Sequence, residues 1–137
     1  VNPLQPLSIS VWYSPNDHPL NIICLGYSDV ISFHLYSNRD DMSARIEDLR
    51  KYNRPIICTE WMARATGSNF ATELPLFRSE RVAAYQWGLV NGRTQCKYPW
   101  WNKPGGEVDS VVGWFHDILH SDGTPYRQEE IDIIRQY

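Results

Sequence analysis

Residues 54–62, Arg-Pro-Ile-Ile-Cys-Thr-Glu-Trp-Met, constrain the fold more than any other stretch of this chain. Pro55 opens the run, Ile56, Ile57 and Cys58 are apolar, and a lone carboxylate, Glu60, stands at its end beside Trp61. A short continuous apolar run of this kind predicts a strand buried on both faces, as in a parallel sheet. In barrels and open α/β sheets the carboxyl ends of the strands are where loops converge on one pocket. Glu60 is therefore a candidate site residue, against the plainer alternative of a solvated Glu at a strand exit.

The rest of the chain supplies neighbours for such a strand. Leu7–Trp12 alternates apolar and small polar residues and reads as a strand, followed by loop chemistry over Tyr13–Pro19. Leu20–Leu25 is a short apolar piece of one or two helical turns. Asp29–Tyr36 reads as a second strand that ends with His34 and Tyr36 two residues apart, which points both side chains to one face. Asp40 or Asp41 is expected to cap the next helix. In that helix Met42, Ile46 and Leu49 form an apolar stripe while Arg45, Glu47, Asp48 and Arg50 face water. Phe70–Ser79 is a short helix candidate weakened by Pro75. Val82–Val90 reads as a fourth strand. A long loop carrying Tyr98, Trp100 and Trp101 follows and closes with Pro104-Gly-Gly106, and Val111–Leu119 is helical or irregular. Glu129–Gln136 is an amphipathic helix with Ile131, Ile133 and Ile134 turned inward. Strands alternating with helices imply a parallel sheet with right-handed crossovers. The fold class is α/β, and four such units correspond to half of an eight-stranded barrel.

With 137 residues the chain is one domain, and its formal net charge of −3 points away from nucleic acid and from an anionic membrane surface. No apolar run reaches the roughly 18 residues that span a bilayer. Six Trp and eight Tyr stand out, because flat rings with polar tips stack on the apolar faces of sugars. Three cysteines without CxxC spacing argue against zinc or a disulfide framework, and one bridge plus a free thiol stays open. No cofactor is indicated: no Gly-rich phosphate loop follows any strand. His116 and His120 have metal-ligand spacing without a third ligand, so no metal is expected. The chain opens Val1-Asn2-Pro3 and reads as beginning in mid-protein.

Three motifs together, Ser32-Phe-His-Leu-Tyr36, Pro55-Ile-Ile-Cys-Thr-Glu-Trp61 and Tyr85-Gln-Trp-Gly-Leu-Val-Asn-Gly92, give the chain a resemblance to the C-terminal half of a clan A glycoside hydrolase. This is the retaining (β/α)8-barrel group that includes cellulases, mannanases and β-galactosidases. Trp114-Phe-His-Asp-Ile118 and Asp122-Gly-Thr-Pro125 look like the tail of its cellulase-like bacterial members. The resemblance implies that Glu60, ending the seventh barrel strand, is the nucleophile. It implies that His34 and Tyr36 on the sixth strand orient it, and that Trp87 on the eighth floors the reactive sugar's site. Leu7–Trp12 would then be the fifth strand. The group's acid/base Glu ends the fourth strand, which this chain does not contain, although retaining cleavage needs two carboxyls about 5–5.5 Å apart.

Beside these stand weaker candidates. Trp12 and Trp61 lie at strand ends, Trp100 and Trp101 could build a distal sugar subsite, and Gln86 and Asn91 could bind hydroxyls. The loop and helix-start carboxylates Glu73, Glu80 and Glu107 are poor candidates for the missing acid. The expected partners are an oligo- or polysaccharide and either the other barrel half or a second copy of this chain, because a half-barrel exposes strand edges and apolar faces.

Overall fold

The computed structural model describes residues 3–102, 108 and 113–137. The Pro104–Gly106 turn, Glu107, Val111 and the first two residues lie outside the described residues.

The centre is a three-stranded parallel sheet in the order β1 (Ile31–His34), β2 (Ile56–Glu60), β3 (Ala83–Ala84). Helix α1 (Pro19–Gly26) precedes it, α2 (Arg39–Arg50) joins β1 to β2, and α3 (Phe70–Glu80) joins β2 to β3. Helix α4 (Gln128–Ile134) closes the chain. The architecture is α/β, built from consecutive β–α units. Among the described residues no helix is long and apolar enough to cross a membrane.

The two inter-strand helices form for reasons readable in their sequences. In α2 Met42, Ile46 and Leu49 are buried against the sheet, as their spacing predicts. Its cap is Asn38 rather than Asp40 or Asp41: the Asn38 carboxamide oxygen accepts from both of their amides, at 3.0 and 3.1 Å, which leaves the two carboxylates in the first turn, where the helix dipole favours negative charge. Arg45 corrects another expectation. It is 7% exposed rather than facing water, and burial lowers its pKa. In α3 the Asn69 side chain caps the Thr72 amide, and Pro75 does not end the helix. Phe70, Leu76 and Phe77 bury its inner face, and that packing outweighs the hydrogen bond Pro75 cannot make.

Two expected strands are shorter than their patterns. Leu7–Trp12 runs beside β1 but contributes a single parallel bridge, Val11 to Phe33. Side chains take the amides a ladder would use: the Leu7 N–H donates to the Asp29 carboxylate at 2.8 Å, and the Ile9 N–H to the Ser28 hydroxyl at 2.9 Å. Val82–Val90 is regular only at Ala83–Ala84. It then follows β2 through two separate bonds, Tyr85 N–H to the Cys58 carbonyl at 2.8 Å and Trp87 N–H to the Trp61 carbonyl at 3.0 Å. Gly88, at φ 83°, turns the chain away. All three cysteines are free, and Cys58 is a core residue.

A buried ion pair ties the C-terminal segment to the sheet. Arg64, just past β2, donates to both carboxylate oxygens of Glu130 in α4, at 2.7 and 2.5 Å. It also reaches the Trp114 and Asp117 carbonyls, at 2.7 and 3.2 Å. Ile131, Ile133 and Ile134 pack against the core. Residues 113–119 are irregular rather than helical, so they are held by Arg64 and by the loop before them: Phe115 and His116 donate to the Lys97 and Cys96 carbonyls at 2.9 and 3.1 Å.

Candidate functional site

The carboxyl ends of the strands gather the candidate residues. A register shift between Phe33 and His34 brings His34 opposite Glu60, and the Leu35 amide donates to the Glu60 carbonyl at 3.1 Å. The chain then continues to Tyr36, whose hydroxyl donates to Glu60 Oε2 at 2.7 Å. His34 Nδ1 stands 3.4 Å from the same oxygen. The two side chains that the spacing placed on one face thus converge on one carboxylate oxygen. The Glu60 side chain is about a quarter exposed, reachable yet held. Burial first, and then the bond to Glu60, raise the Tyr36 pKa above its ordinary value. The phenol therefore stays a donor at any working pH.

Glu60 opens into a pocket of about 970 Å³ walled by aromatic rings. Trp12, Trp87 and Trp100 line it and are 59%, 45% and 56% exposed. Trp12 comes from the segment beside β1, Trp87 from the run after β3, and Trp100 from the long loop, whose Thr94, Gln95, Cys96 and Tyr98 complete one wall. Glu60 is the one carboxylate in that lining among the described residues.

Four candidates fall outside the lining. Trp61 is a core residue, 1% exposed, with its ring edge-to-face against Phe70 and Phe77 at 5.3 and 5.0 Å. Alternation along the strand explains it: if Glu60 faces the pocket, the next residue faces the α3 layer. Trp101 lies outside the lining and packs on Phe115 at 5.2 Å. Asn91 is outside it too, with its amide donating to the Leu119 carbonyl at 2.8 Å. The Gln86 carboxamide is occupied in the same region, donating to the Gly88 carbonyl at 2.8 Å.

One lining residue enters the site in a way its spacing from His120 does not predict. His116 is 1% exposed and forms part of the pocket wall, with its ring 5.3 Å from that of Tyr36. It shares no helix face with His120, which instead packs on Trp114 at 4.7 Å. Its Nδ1 lies 2.6 Å from the Met62 carbonyl, an acceptor only, so Nδ1 carries the proton. Burial lowers the His116 pKa, which keeps the imidazole neutral. Among the described residues no group of three or more side chains is placed to hold a metal ion.

No protein-family model matches the chain, and no curated protein matches it. The functional reading therefore rests on the geometry of Glu60 and its pocket.

Proposed function

We propose that this chain is the nucleophile-bearing part of a retaining glycoside hydrolase acting on β-linked glycans, and that its β–α units are the C-terminal half of a (β/α)8 barrel. The observation that carries the reading is the convergence of Tyr36 and His34 on one oxygen of Glu60, at the strand ends, beneath an aromatic-walled pocket. The Tyr36 hydroxyl fixes Oε2 and leaves Oε1 free to attack. In the proposed step a bond forms between Oε1 and the anomeric carbon while the bond to the leaving oxygen breaks. That oxygen takes its proton from a general acid. Trp87 and Trp12 offer flat faces to the sugar.

The general acid is the missing partner. Retention calls for a second carboxyl about 5–5.5 Å from the first, and the described lining holds only Glu60. On this reading the other barrel half supplies the acid, and the chain alone is expected to be inactive on ordinary glycosides. Exposed apolar residues flank the sheet on both sides. Leu7, Ile9, Ile22 and Ile23 lie on the β1 side, Tyr85, Leu89 and Val90 beyond β3. Such surfaces suit either the other barrel half or a second copy of this chain.

The single carboxylate also favours a second reading, a domain that binds sugar without cleaving it. One experiment separates the two. The protein is incubated with 2-fluoro glycosides carrying an activated aryl leaving group, in gluco, manno, galacto and xylo forms, and its intact mass is recorded. A good leaving group needs little acid assistance, so the nucleophile can react without its partner. A mass gain that maps to the Glu60 peptide and is abolished by Glu60→Gln supports the hydrolase. Saturable sugar binding with no mass gain supports the binding domain.

A further inference from the structure

His116 is held more tightly than packing alone requires. Met62 sits at φ 71°, a conformation uncommon for a residue with a side chain, and its carbonyl holds His116 Nδ1. Gly88, at φ 83°, approaches so closely that a Cβ there would stand 2.6 Å from the His116 Cβ. The Met62 carbonyl thus holds the ring, and the bare backbone of Gly88 leaves room for the His116 Cβ. With its proton on Nδ1, the ring presents Nε2 as a hydrogen-bond acceptor. That nitrogen is screened from water and has no hydrogen-bond partner. It belongs to a ring in the pocket wall that meets the Tyr36 ring at 5.3 Å and the exposed indole of Trp100 at 5.4 Å. An unsatisfied buried acceptor is unfavourable, and a ligand that supplies the matching donor recovers that loss on binding.

We propose that His116 reads a hydroxyl of the bound sugar. Its Nε2 accepts a hydrogen bond from the ring that displaces the Trp100 indole and stacks in the pocket, and this bond helps set which sugar the pocket admits. His116 is a specificity and positioning residue rather than a proton carrier, because the Met62 carbonyl fixes its tautomer. The inference rests on the sugar-binding reading of the pocket, and it names a contact that this reading does not require. A site built around a fixed acceptor discriminates against ligands that lack the donor.

The test is a long-range proton–nitrogen spectrum of the four histidine side chains, recorded alone and during titration with xylobiose, cellobiose and mannobiose. The free chain should show His116 with a protonated Nδ1 and a bare Nε2; the opposite tautomer overturns the proposal. With a disaccharide that binds, the indole signals of Trp87 and Trp100 should move, and the Nε2 signal should shift to the position of a hydrogen-bonded acceptor. Moving indoles with a stationary Nε2 would refute the role of His116 and leave sugar binding standing. Silence at every indole and at Nε2 would refute sugar binding and the inference with it. A second measurement uses His116→Asn, whose amide nitrogen can still donate to the Met62 carbonyl while no atom replaces Nε2. Its affinity for the disaccharide should fall about tenfold, the weight of one hydrogen bond to a buried acceptor, with the unfolding midpoint close to that of the parent chain. Unchanged affinity would count against the proposal.

Discussion

Replacing Glu73 by Gln should stabilise the protein above neutral pH and leave it unchanged in acid. Glu73 lies in the first turn of α3 and is fully buried. Its Oε2 has no hydrogen-bond partner, and Oε1 meets only the Thr72 hydroxyl at 3.4 Å. Burial pushes its pKa from 4.5 to about 7, against smaller pulls downward from Thr72 and Arg39. The sign follows from linkage. Below about pH 4.5 the carboxyl is protonated in the folded and unfolded chains alike, and it contributes nothing. Between about 4.5 and 7 the unfolded chain ionises while the folded one holds its proton, so stability declines as pH rises. Above 7 the penalty is complete. At about 1.4 kcal/mol per pH unit, the gap between 4.5 and about 7 amounts to about 3 kcal/mol. Gln has the same shape and no charge, so it should recover that amount at pH 8 and none at pH 4. Urea unfolding of the parent chain and of Glu73→Gln across this range measures it, and the difference between the two curves cancels every other titrating group. A difference that stays flat from pH 4 to pH 8, or a Gln variant less stable at pH 8, would refute the reasoning.

Other perturbations report on other parts of the molecule. Tyr36→Phe deletes the donor to Glu60 Oε2, a hydrogen bond to a carboxylate worth about 1.5–3 kcal/mol. Labelling by an activated 2-fluoro glycoside should slow by roughly ten- to a hundredfold with sugar affinity retained, as read by mass against time. Arg64→Met takes both hydrogen bonds from the buried Glu130 and leaves it only the Arg127 guanidinium at 3.8 Å, which should cost roughly 3 kcal/mol in urea unfolding. Arg64→Met with Glu130→Leu should recover part of that loss. The apolar flanks of the sheet predict self-association of the chain alone, and a strictly monomeric species in light scattering, with little binding of an apolar dye, would contradict it.

The Glu60 strand and the helices around it were legible because local pattern and tertiary role agree there. Ile56 and Cys58 are buried, the Met42–Ile46–Leu49 stripe faces the sheet, and the period-2 spacing of His34 and Tyr36 brings both to Glu60. Legibility failed where side chains compete with the backbone. Asp29 and Ser28 take the amides of Leu7 and Ile9, so an alternating pattern yields one bridge instead of a strand. It failed again where burial is long-range. The partner of Arg64 lies 66 residues away, and nothing near Arg64 in the chain announces that it will be buried. Trp61 ends the same strand as Glu60 but is buried on the opposite face, because neighbouring side chains in a strand alternate. His116 was missed because its role depends on the conformations of Met62 and Gly88, which spacing does not reveal.

On the reading proposed above, assembly and chemistry are one event. The carboxylate that this chain holds ready needs a second, and the described pocket lining contains no other. On that reading the new carboxyl comes with the partner that covers the sheet's two flanks, where Leu7 and Ile9 on one side and Leu89 and Val90 on the other are exposed. Burying those flanks is favourable through the apolar area alone, so partner binding needs no help from substrate. The Glu60–Tyr36–His34 cluster, by contrast, is already formed within this chain, because each member leaves the end of the same parallel sheet. Partner binding should therefore restore turnover on substrates with poor leaving groups, where acid assistance matters most, and change the reaction with activated aryl glycosides far less.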